Sequence, residues 1–235
     1  MNKKSSLRKV TSFAIISLLG GLFLITFLNL PQINKELSQH YIMYGVEDTG
    51  AINLITAILF DYRGFDTLGE ATVIFAAAST VAFLVPKDIP KMLSCRFTLI
   101  TQQSISFIIP FLFLFGFYLI AFGHLSPGGG FTGGVVMAAV VILLTVVFGI
   151  KYSDHQIRPK YKSFLESFGA MGFVMVGLAG ILMGGNFLAN SQAGFNLGIP
   201  GSIYSSGLIP LINLMTGLKV AAGLSLIFTS LIKEE

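Results

Sequence analysis

Six long apolar segments divide the chain, and their length constrains its fold more than any other feature. A helix needs about 20 mostly apolar residues to cross the hydrocarbon core of a bilayer. Each segment meets that length closely, and polar links separate them. The segments run from Val10 to Leu30, Asp66 to Val85, Gln103 to Phe122, Phe131 to Ile150, Phe164 to Gly184 and Leu208 to Leu231. The sequence therefore predicts an all-α membrane protein with about six transmembrane helices.

The composition argues against a soluble domain, a nucleic-acid-binding protein and a protein with a disulfide or a multi-cysteine metal site. Apolar residues make up 54% of the 235 residues and charged residues 11%, whereas a soluble domain carries roughly 25% charged residues. The net charge is only +4, and the basic residues lie between the apolar segments rather than in one patch, which argues against a nucleic-acid partner. The single cysteine, Cys95, excludes an intrachain disulfide and a multi-cysteine metal or cluster site.

The basic residues also predict which ends of the segments face the cytoplasm. The first segment follows a basic head at residues 3–9 and lacks the small residues of a signal-peptide cleavage site, so we expect an uncleaved helix. With a cytoplasmic N-terminus, 12 of the 15 Lys and Arg residues lie on cytoplasmic segments. This bias follows the positive-inside rule. It predicts a multi-pass protein of the cell membrane with both termini in the cytoplasm.

Four charged residues stand where a short apolar stretch meets the second long segment. The short stretch, residues 51–60, suits an interfacial or re-entrant helix; Asp61 and Arg63 close it, and Asp66 and Glu70 open the next segment. The string TLGE that ends at Glu70 fits the S/T-x-x-E capping box of a helix start. Asp66 and Glu70 are also four residues apart, so a desolvated acid pair could hold a proton or bind Na⁺, with Arg63 as counter-charge. The spacing leaves helix capping and ion handling open.

Lys219 lies at the middle of the last apolar segment. A lysine at the centre of a spanning helix costs about 2.5–3.5 kcal/mol on insertion scales. To reach the membrane surface its ammonium would have to climb roughly 15 Å, half the hydrocarbon thickness. The position therefore predicts a carboxylate, water or carbonyl oxygens around Lys219 inside a helix bundle.

A glycine-rich link joins the third and fourth segments, with five glycines in residues 128–134. It lacks the Gly-Lys-Ser/Thr of a phosphate-binding loop. The pairs Gly129/Gly133 and Gly130/Gly134 allow helices to approach closely, and we expect this to be the main role of the link.

Two further polar residues are candidates with simple structural explanations. His124, beside the link, is either an interfacial polar residue or a proton relay, and the first is the more common case. Glu166 lies four residues after Lys162, and we expect a surface pair between them. The sequence contains no Ser-His-Asp, HExxH or CxxC arrangement that would indicate covalent catalysis or a resident metal or cofactor.

Two motifs resemble known families. The stretch NLITAILFDYRGFDTLGE, residues 53–70, resembles the C-terminal extension of the large A-type subunit of Mrp-type Na⁺/H⁺ antiporters. It is also similar to a small subunit of archaeal-type membrane-bound hydrogenases. The stretch GHLSPGGGFTGG, residues 123–134, and GLKV, residues 217–220, resemble the B-type subunit (MnhB-like) of the same antiporters. The resemblance covers about residues 45 to 235.

This resemblance implies two parts and a set of functional positions. Residues 1–97 would form a two-span part with the motif that resembles the A-type extension, and residues 98–235 a four-span, MnhB-like domain. The acids matching Asp66 and Glu70 are implied to belong to an ion path, and the positions matching Pro127 and Phe131 to matter for activity.

We therefore expect a non-catalytic component of a multi-subunit Mrp-type cation (Na⁺)/proton antiporter, with other Mrp-type or hydrogenase-type membrane subunits as partners. The alternative is a membrane-arm component of a ferredoxin-driven hydrogenase or sulfur-reductase complex, and a third possibility is a structural spacer with Lys219 in a static ion pair. The candidate ion-path residues are Asp61, Arg63, Asp66, Glu70, His124 and Lys219, and the structural motif comprises Pro127, Gly129, Gly130, Phe131 and Gly133.

Overall fold

The computed structural model describes residues 3–29, 35–84 and 97–232, and the regular structure in these residues is helical. The helices are α1 (Lys3–Leu28), α2 (Lys35–Thr49), α3 (Leu54–Ala57), α4 (Gly64–Leu84), α5 (Leu99–Ala121), α6 (Gly130–Phe148), α7 (Ile150–Gln156), α8 (Pro159–Leu182) and α9 (Ile209–Ile232). A π-helical turn, Ile58–Tyr62, extends α3, and a 3₁₀ turn, Ser191–Ala193, lies between α8 and α9. The predicted all-α class is confirmed.

The described part of each of the six apolar segments lies mostly in one helix, namely α1, α4, α5, α6, α8 and α9. Among the described residues, the four helices from this set that follow residue 98 are long and apolar enough to cross a membrane. α1 contributes a shorter apolar segment, Phe13–Leu28. The structure thus supports four spanning helices.

The chain divides into two compact units, Met1–Gln39 and His40–Glu235. α1 belongs to the first unit, and the second contains every helix from α3 onward. Several residues used for the orientation prediction lie outside the described part: Lys87, Lys91, Arg96 and Lys233, together with Cys95. The side chains of the basic head are likewise not described.

α9 is the helix around which the second unit packs, because it contacts α4, α5, α6 and α8. Glycines on its neighbours allow this close approach. A Cβ at Gly134 of α6 would lie 2.9 Å from the carbonyl oxygen of Gly217, and one at Gly169 of α8 would lie 2.6 Å from that of Met215. The prediction that Gly130 and Gly134 permit close helix contact is confirmed. Gly133 does the same on the other side of α6, where its Cβ would lie 2.7 Å from the carbonyl oxygen of Gly116 in α5.

Loops meet at one end of the bundle, where α5, α8 and the π-helical turn end and α6 and α9 begin. Apolar residues from the link before α3, from α3 and its π-helical turn, from α8 and α9 and from the loop between them form a core there: Ala51, Ala57, Phe60, Phe173, Val176, Leu188, Ile209 and Ile212. Gly50 has a φ of +70°, and a Cβ there would lie 2.9 Å from the carbonyl oxygen of Leu197. This core fixes the position of the polar residues described next.

Candidate functional site

Lys219 is enclosed by the bundle, with 3% of its surface exposed. Its Nζ donates a hydrogen bond to the carbonyl oxygen of Ala71 in α4. The ammonium also lies 6.0 Å from the centroid of the Phe75 ring, a distance at which a cation is attracted to an aromatic face. Carbonyl oxygens around Lys219 were predicted, and this part of the prediction is confirmed.

Glu166 of α8 is a carboxylate that faces α9 within about one turn of Lys219. It is buried, with 7% of its surface exposed, and its Oε1 has no hydrogen-bond partner among the described residues. Gly223, one turn after Lys219, leaves room for this carboxylate, because a Cβ there would lie 3.1 Å from Oε1.

The predicted surface pair between Lys162 and Glu166 is wrong. Lys162 is itself buried, and its Nζ lies 3.2 Å from Oδ1 of Asp154 in α7. A residue of α7, eight positions earlier in the chain, therefore replaces the neighbour four residues away as the partner of Lys162. Glu166 is thereby left facing α9.

The glycine-rich link is held by two asparagines. The Oδ1 of Asn213 in α9 accepts a hydrogen bond of 2.7 Å from the backbone N–H of Gly130, one of the donors that a helix start leaves free. The Nδ2 of Asn53 lies 2.8 Å from the carbonyl oxygen of Gly123 and 2.9 Å from that of Ser126. These bonds fix the link against α3 and α9. Within the predicted structural motif, Gly129, Gly130 and Gly133 are buried, whereas Pro127 and Phe131 are exposed.

His124 is enclosed by the protein, with 1% of its surface accessible, and it lies at the loop end of the bundle. Its Nε2 lies 3.2 Å from the carbonyl oxygen of Ile203, in the loop that covers this end of the bundle. Nδ1 has no hydrogen-bond partner among the described residues. Burial lowers the pKa of the imidazole, although the contact with Ile203 acts in the opposite direction.

Asp61 lies at the same end of the bundle, where its Oδ2 accepts a hydrogen bond of 3.0 Å from the Nδ2 of Asn190. Burial raises the pKa of this carboxyl, and the hydrogen bond from Asn190 partly opposes the shift. Asn190 also donates to the carbonyl oxygen of Ser206 and accepts from the backbone N–H of Leu208. It therefore connects Asp61 to the start of α9.

Asp48 and Tyr62 form a second polar contact beside Asp61. The hydroxyl of Tyr62 donates to Oδ2 of Asp48 at 2.5 Å, and the Nε2 of His40 lies 3.2 Å from the same oxygen. Burial and then the hydrogen bond to Asp48 raise the pKa of Tyr62.

The start of α4 is more exposed than these residues. Arg63 forms an ion pair with Asp66, both side chains being about half exposed, and Glu70 is exposed as well. The capping-box alternative is wrong, because α4 already begins at Gly64 and the hydroxyl of Thr67 donates to the carbonyl oxygen of Leu59. Arg63 does serve as counter-charge to Asp66, as expected.

The six candidate ion-path residues thus fall into separate places. Lys219 lies inside the bundle, His124 and Asp61 lie beneath the loops at one end, and the other three lie on the exposed start of α4. Two residues of the site were not predicted from the sequence: Glu166, the buried carboxylate that faces α9, and Asn190, which connects Asp61 to the start of α9. Glu166 could have been found by the reasoning applied to Lys219, because it too is a charged residue within a long apolar segment.

Comparison with known proteins places the chain in a family. Residues 100–226 match a family profile described as "Domain related to MnhB subunit of Na+/H+ antiporter", and residues 7–103 match the MbhE profile, which describes a subunit of MBH. An uncharacterized protein of Methanocaldococcus jannaschii is 31% identical over 251 residues, which cover 96% of this chain and 91% of the relative. The B subunit of the Na(+)/H(+) antiporter of Bacillus subtilis is 30% identical over 103 residues, covering 44% of this chain and 71% of the relative.

Two solved structures have similar folds. A chain of the membrane-bound sulfane sulfur reductase, an archaeal respiratory membrane complex, matches with a TM-score of 0.74 and 33% identity, covering 97% of this chain and 100% of that one. A chain of the Mrp complex from Dietzia sp. DQ12-45-1b matches with a TM-score of 0.64 and 21% identity, covering 98% of this chain and 26% of that one. The predicted resemblance is confirmed: the chain belongs to the family of domains related to the MnhB subunit of Na⁺/H⁺ antiporters.

Proposed function

We propose that this protein is a non-catalytic, ion-translocating component of an Mrp-type cation (Na⁺)/proton antiporter. In this proposal α1 and α4 join the four spanning helices to give six, and both termini face the cytoplasm of a cell whose plasma membrane holds the complex. Residues 1–97 form the two-span part and residues 98–235 the MnhB-like domain. The similarity to antiporter subunits supports this assignment.

The observation that carries the proposal is the buried ammonium of Lys219 in the middle of α9. An ionisable group inside a membrane is costly and marks an ion or proton path in many transporters. Lys219 has a carbonyl ligand in α4 and a nearby carboxylate in α8. It therefore lies among groups that can stabilise it while its proton moves.

The two acids at the start of α4 would act on the outside of the bundle, away from the buried Lys219. Asp66 and Glu70 are exposed on the described chain, and an exposed acid on a spanning helix is stabilised when another protein chain covers it. We assign them to the contact with a partner chain of the complex, where a proton or Na⁺ would pass between the two. Asp61 and His124 would lie beside the entrance at the loop end of the bundle.

The test uses Lys219→Ala and Glu70→Gln in the complete complex, with co-purification of the other subunits as the check on assembly. We expect each variant to lower Na⁺/H⁺ exchange by about 100-fold, the size of effect seen when a proton-transferring group is removed. Lys160→Ala, at the exposed start of α8, is the matched control and should exchange ions normally. Normal exchange by both assembled variants would support the structural-spacer alternative instead.

The redox-driven alternative is less favoured, because the matched profile and the relative from Bacillus subtilis are described as antiporter subunits. Vesicles containing the complex distinguish the two. An antiporter exchanges Na⁺ for H⁺ when only a pH gradient is imposed, whereas the alternative requires a reduced electron donor. Exchange that depends on reduced ferredoxin would contradict the proposal.

A further inference from the structure

Glu166 is a buried acid to which the proposed ion path assigns no proton-transfer step. It and Lys219 are both more than nine-tenths buried, on facing helices α8 and α9. Gly223, one turn after Lys219, lies against the Glu166 carboxylate, and Gly169, three residues after Glu166, lies against the Cβ of Lys219. The ion pairs within 4.0 Å among the described residues do not include Glu166 with Lys219. An acid and a base are therefore held on facing helices in an apolar interior without a direct ion pair.

The surroundings leave hydrogen-bonding capacity unused on both groups. The Lys219 ammonium has three donors, and among the described residues it contacts the carbonyl oxygen of Ala71 and the face of Phe75. The Oε1 of Glu166 is buried and has no hydrogen-bond partner in the described part of the chain. A Cβ at Gly223 would lie 3.1 Å from this oxygen and 3.0 Å from Cγ2 of Ile74, and neither residue has a polar side chain.

Proton transfer within the pair removes both buried charges. A buried charge without a close partner is costly, and ionisable groups in that position tend to become neutral. When one proton moves from the ammonium to the carboxylate, the products are a neutral amine and a neutral carboxylic acid. The pair keeps the same number of protons and the same net charge, and the reverse step restores both ions.

We propose that Glu166 and Lys219 form a proton-exchanging pair, in which Glu166 accepts the proton that Lys219 releases during ion translocation. This inference rests on the proposed antiporter function and deepens it by naming the internal acid that takes the proton. Gly169 and Gly223 support the arrangement, because they let the backbones and the carboxylate approach closely beside Lys219.

The decisive variants are Glu166→Gln, Glu166→Asp and the charge-balanced double variant Glu166→Gln/Lys219→Gln, each in the complete complex. Glu166→Gln should lower exchange by about 100-fold, and Glu166→Asp, which keeps an acid, should retain more activity than Glu166→Gln. Glu47→Gln, an exposed glutamate in α2, is the matched control and should behave like the wild type.

The double variant separates proton exchange from a static ion pair. It leaves no buried charge without a counter-charge, so it should assemble even if a single variant does not. We expect the assembled double variant to remain inactive. Normal exchange by the double variant, or by assembled Glu166→Gln, would overturn the proposal.

A second measurement does not depend on transport. Infrared difference spectra of the purified complex between two pH values should contain a carboxylic-acid C=O band that is lost in Glu166→Gln and changed in Lys219→Gln. If the wild-type complex exchanged no ions, the proposed antiporter function would be wrong. The infrared band would still test whether Glu166 and Lys219 exchange a proton. Spectra with no band assignable to Glu166 would contradict the proposed proton exchange between Glu166 and Lys219.

Discussion

A backbone carbonyl of α4 holds the ammonium of Lys219 in place. The carbonyl oxygen of a helical residue has two lone pairs, so that of Ala71 can accept from Lys219 as well as from its own helix. This contact ties α4 to the centre of α9 through one side chain. Removal of the lysine would therefore affect both the electrostatics of the interior and the contact between two helices.

The position of Lys219 could be predicted from the sequence, whereas its partner could not. A lysine in the middle of an apolar segment has few solutions in lipid, and all of them place polar atoms around it. The partner depends on which helices meet, and Lys162, four residues before Glu166, offered a simple local pair. The structure instead pairs Lys162 with Asp154 of α7, a helix that packs against α6.

Asp61 gives a prediction for the dependence of stability on pH. Because burial raises its pKa, the folded protein binds more protons at this site than the unfolded chain does. The contribution of Asp61 to stability is thus full below its unfolded pKa of 3.8 and is lost as the pH rises through the folded value.

Asp61→Asn keeps an oxygen that can accept from Asn190 and removes the ionisation. We expect its melting temperature to equal or exceed that of the wild type at about pH 7, and to fall less between about pH 4 and pH 7. Differential scanning fluorimetry of the purified complex measures the melting temperature and its change with pH. Glu47→Gln should keep the wild-type slope, and a steeper fall for Asp61→Asn would contradict a raised pKa of Asp61.

At the scale of helices, apolar length was sufficient to predict the six long elements and a short helix at residues 51–60, where α3 and the π-helical turn lie, but it was not sufficient to predict α2. Residues 32–50 appeared only polar and mixed in charge, yet Lys35–Thr49 forms α2. Its tyrosine and aspartate make contacts with the π-helical turn, so tertiary contacts accompany a helix that has no apolar run of its own. The π-helical turn itself has no signal in the spacing of apolar residues.

The contact between α6 and α9 gives a prediction about packing. A Cβ at Gly130 would collide with the backbone of Asn213 and lie 2.9 Å from the Cβ of Thr216. Gly130→Ala should therefore destabilise the bundle by about 1–3 kcal/mol, the usual cost of overpacking, seen as a lower melting temperature of the purified complex.

Gly69→Ala in α4 is the matched control, since a Cβ there would meet nothing within 4 Å. Alanine is the better helix former, so this variant should be at least as stable as the wild type. Equal stability of the two variants would show that α6 and α9 do not approach as closely as described.

At the scale of the whole molecule, the two ends of the bundle differ in charge. The loop between α8 and α9 carries no charged residue, whereas the segment around α7 contains Lys151, Asp154, Arg158 and Lys160. The positive-inside rule therefore predicts that the α7 end faces the cytoplasm. The burial of His124 beneath the uncharged loop could not be predicted, because it depends on a contact with Ile203, 79 residues away.

This orientation can be tested by cysteine labelling in a chain whose Cys95 is replaced by serine. Tyr204→Cys in the uncharged loop, where the tyrosine is 92% exposed, should react with a membrane-impermeant thiol reagent in intact cells. Lys160→Cys should react only after permeabilisation. The reverse pattern would contradict the proposed cytoplasmic location of both termini.

The central position of α9 also has a consequence for biosynthesis. The helices that it contacts, α4, α5, α6 and α8, all precede it along the chain. A ribosome that stops before residue 209 releases a product in which Glu166 has no cation beside it and the glycine faces of α6 and α8 have no covering helix. Such a product cannot complete its bundle, so quality-control proteases that recognise unassembled membrane segments should remove it.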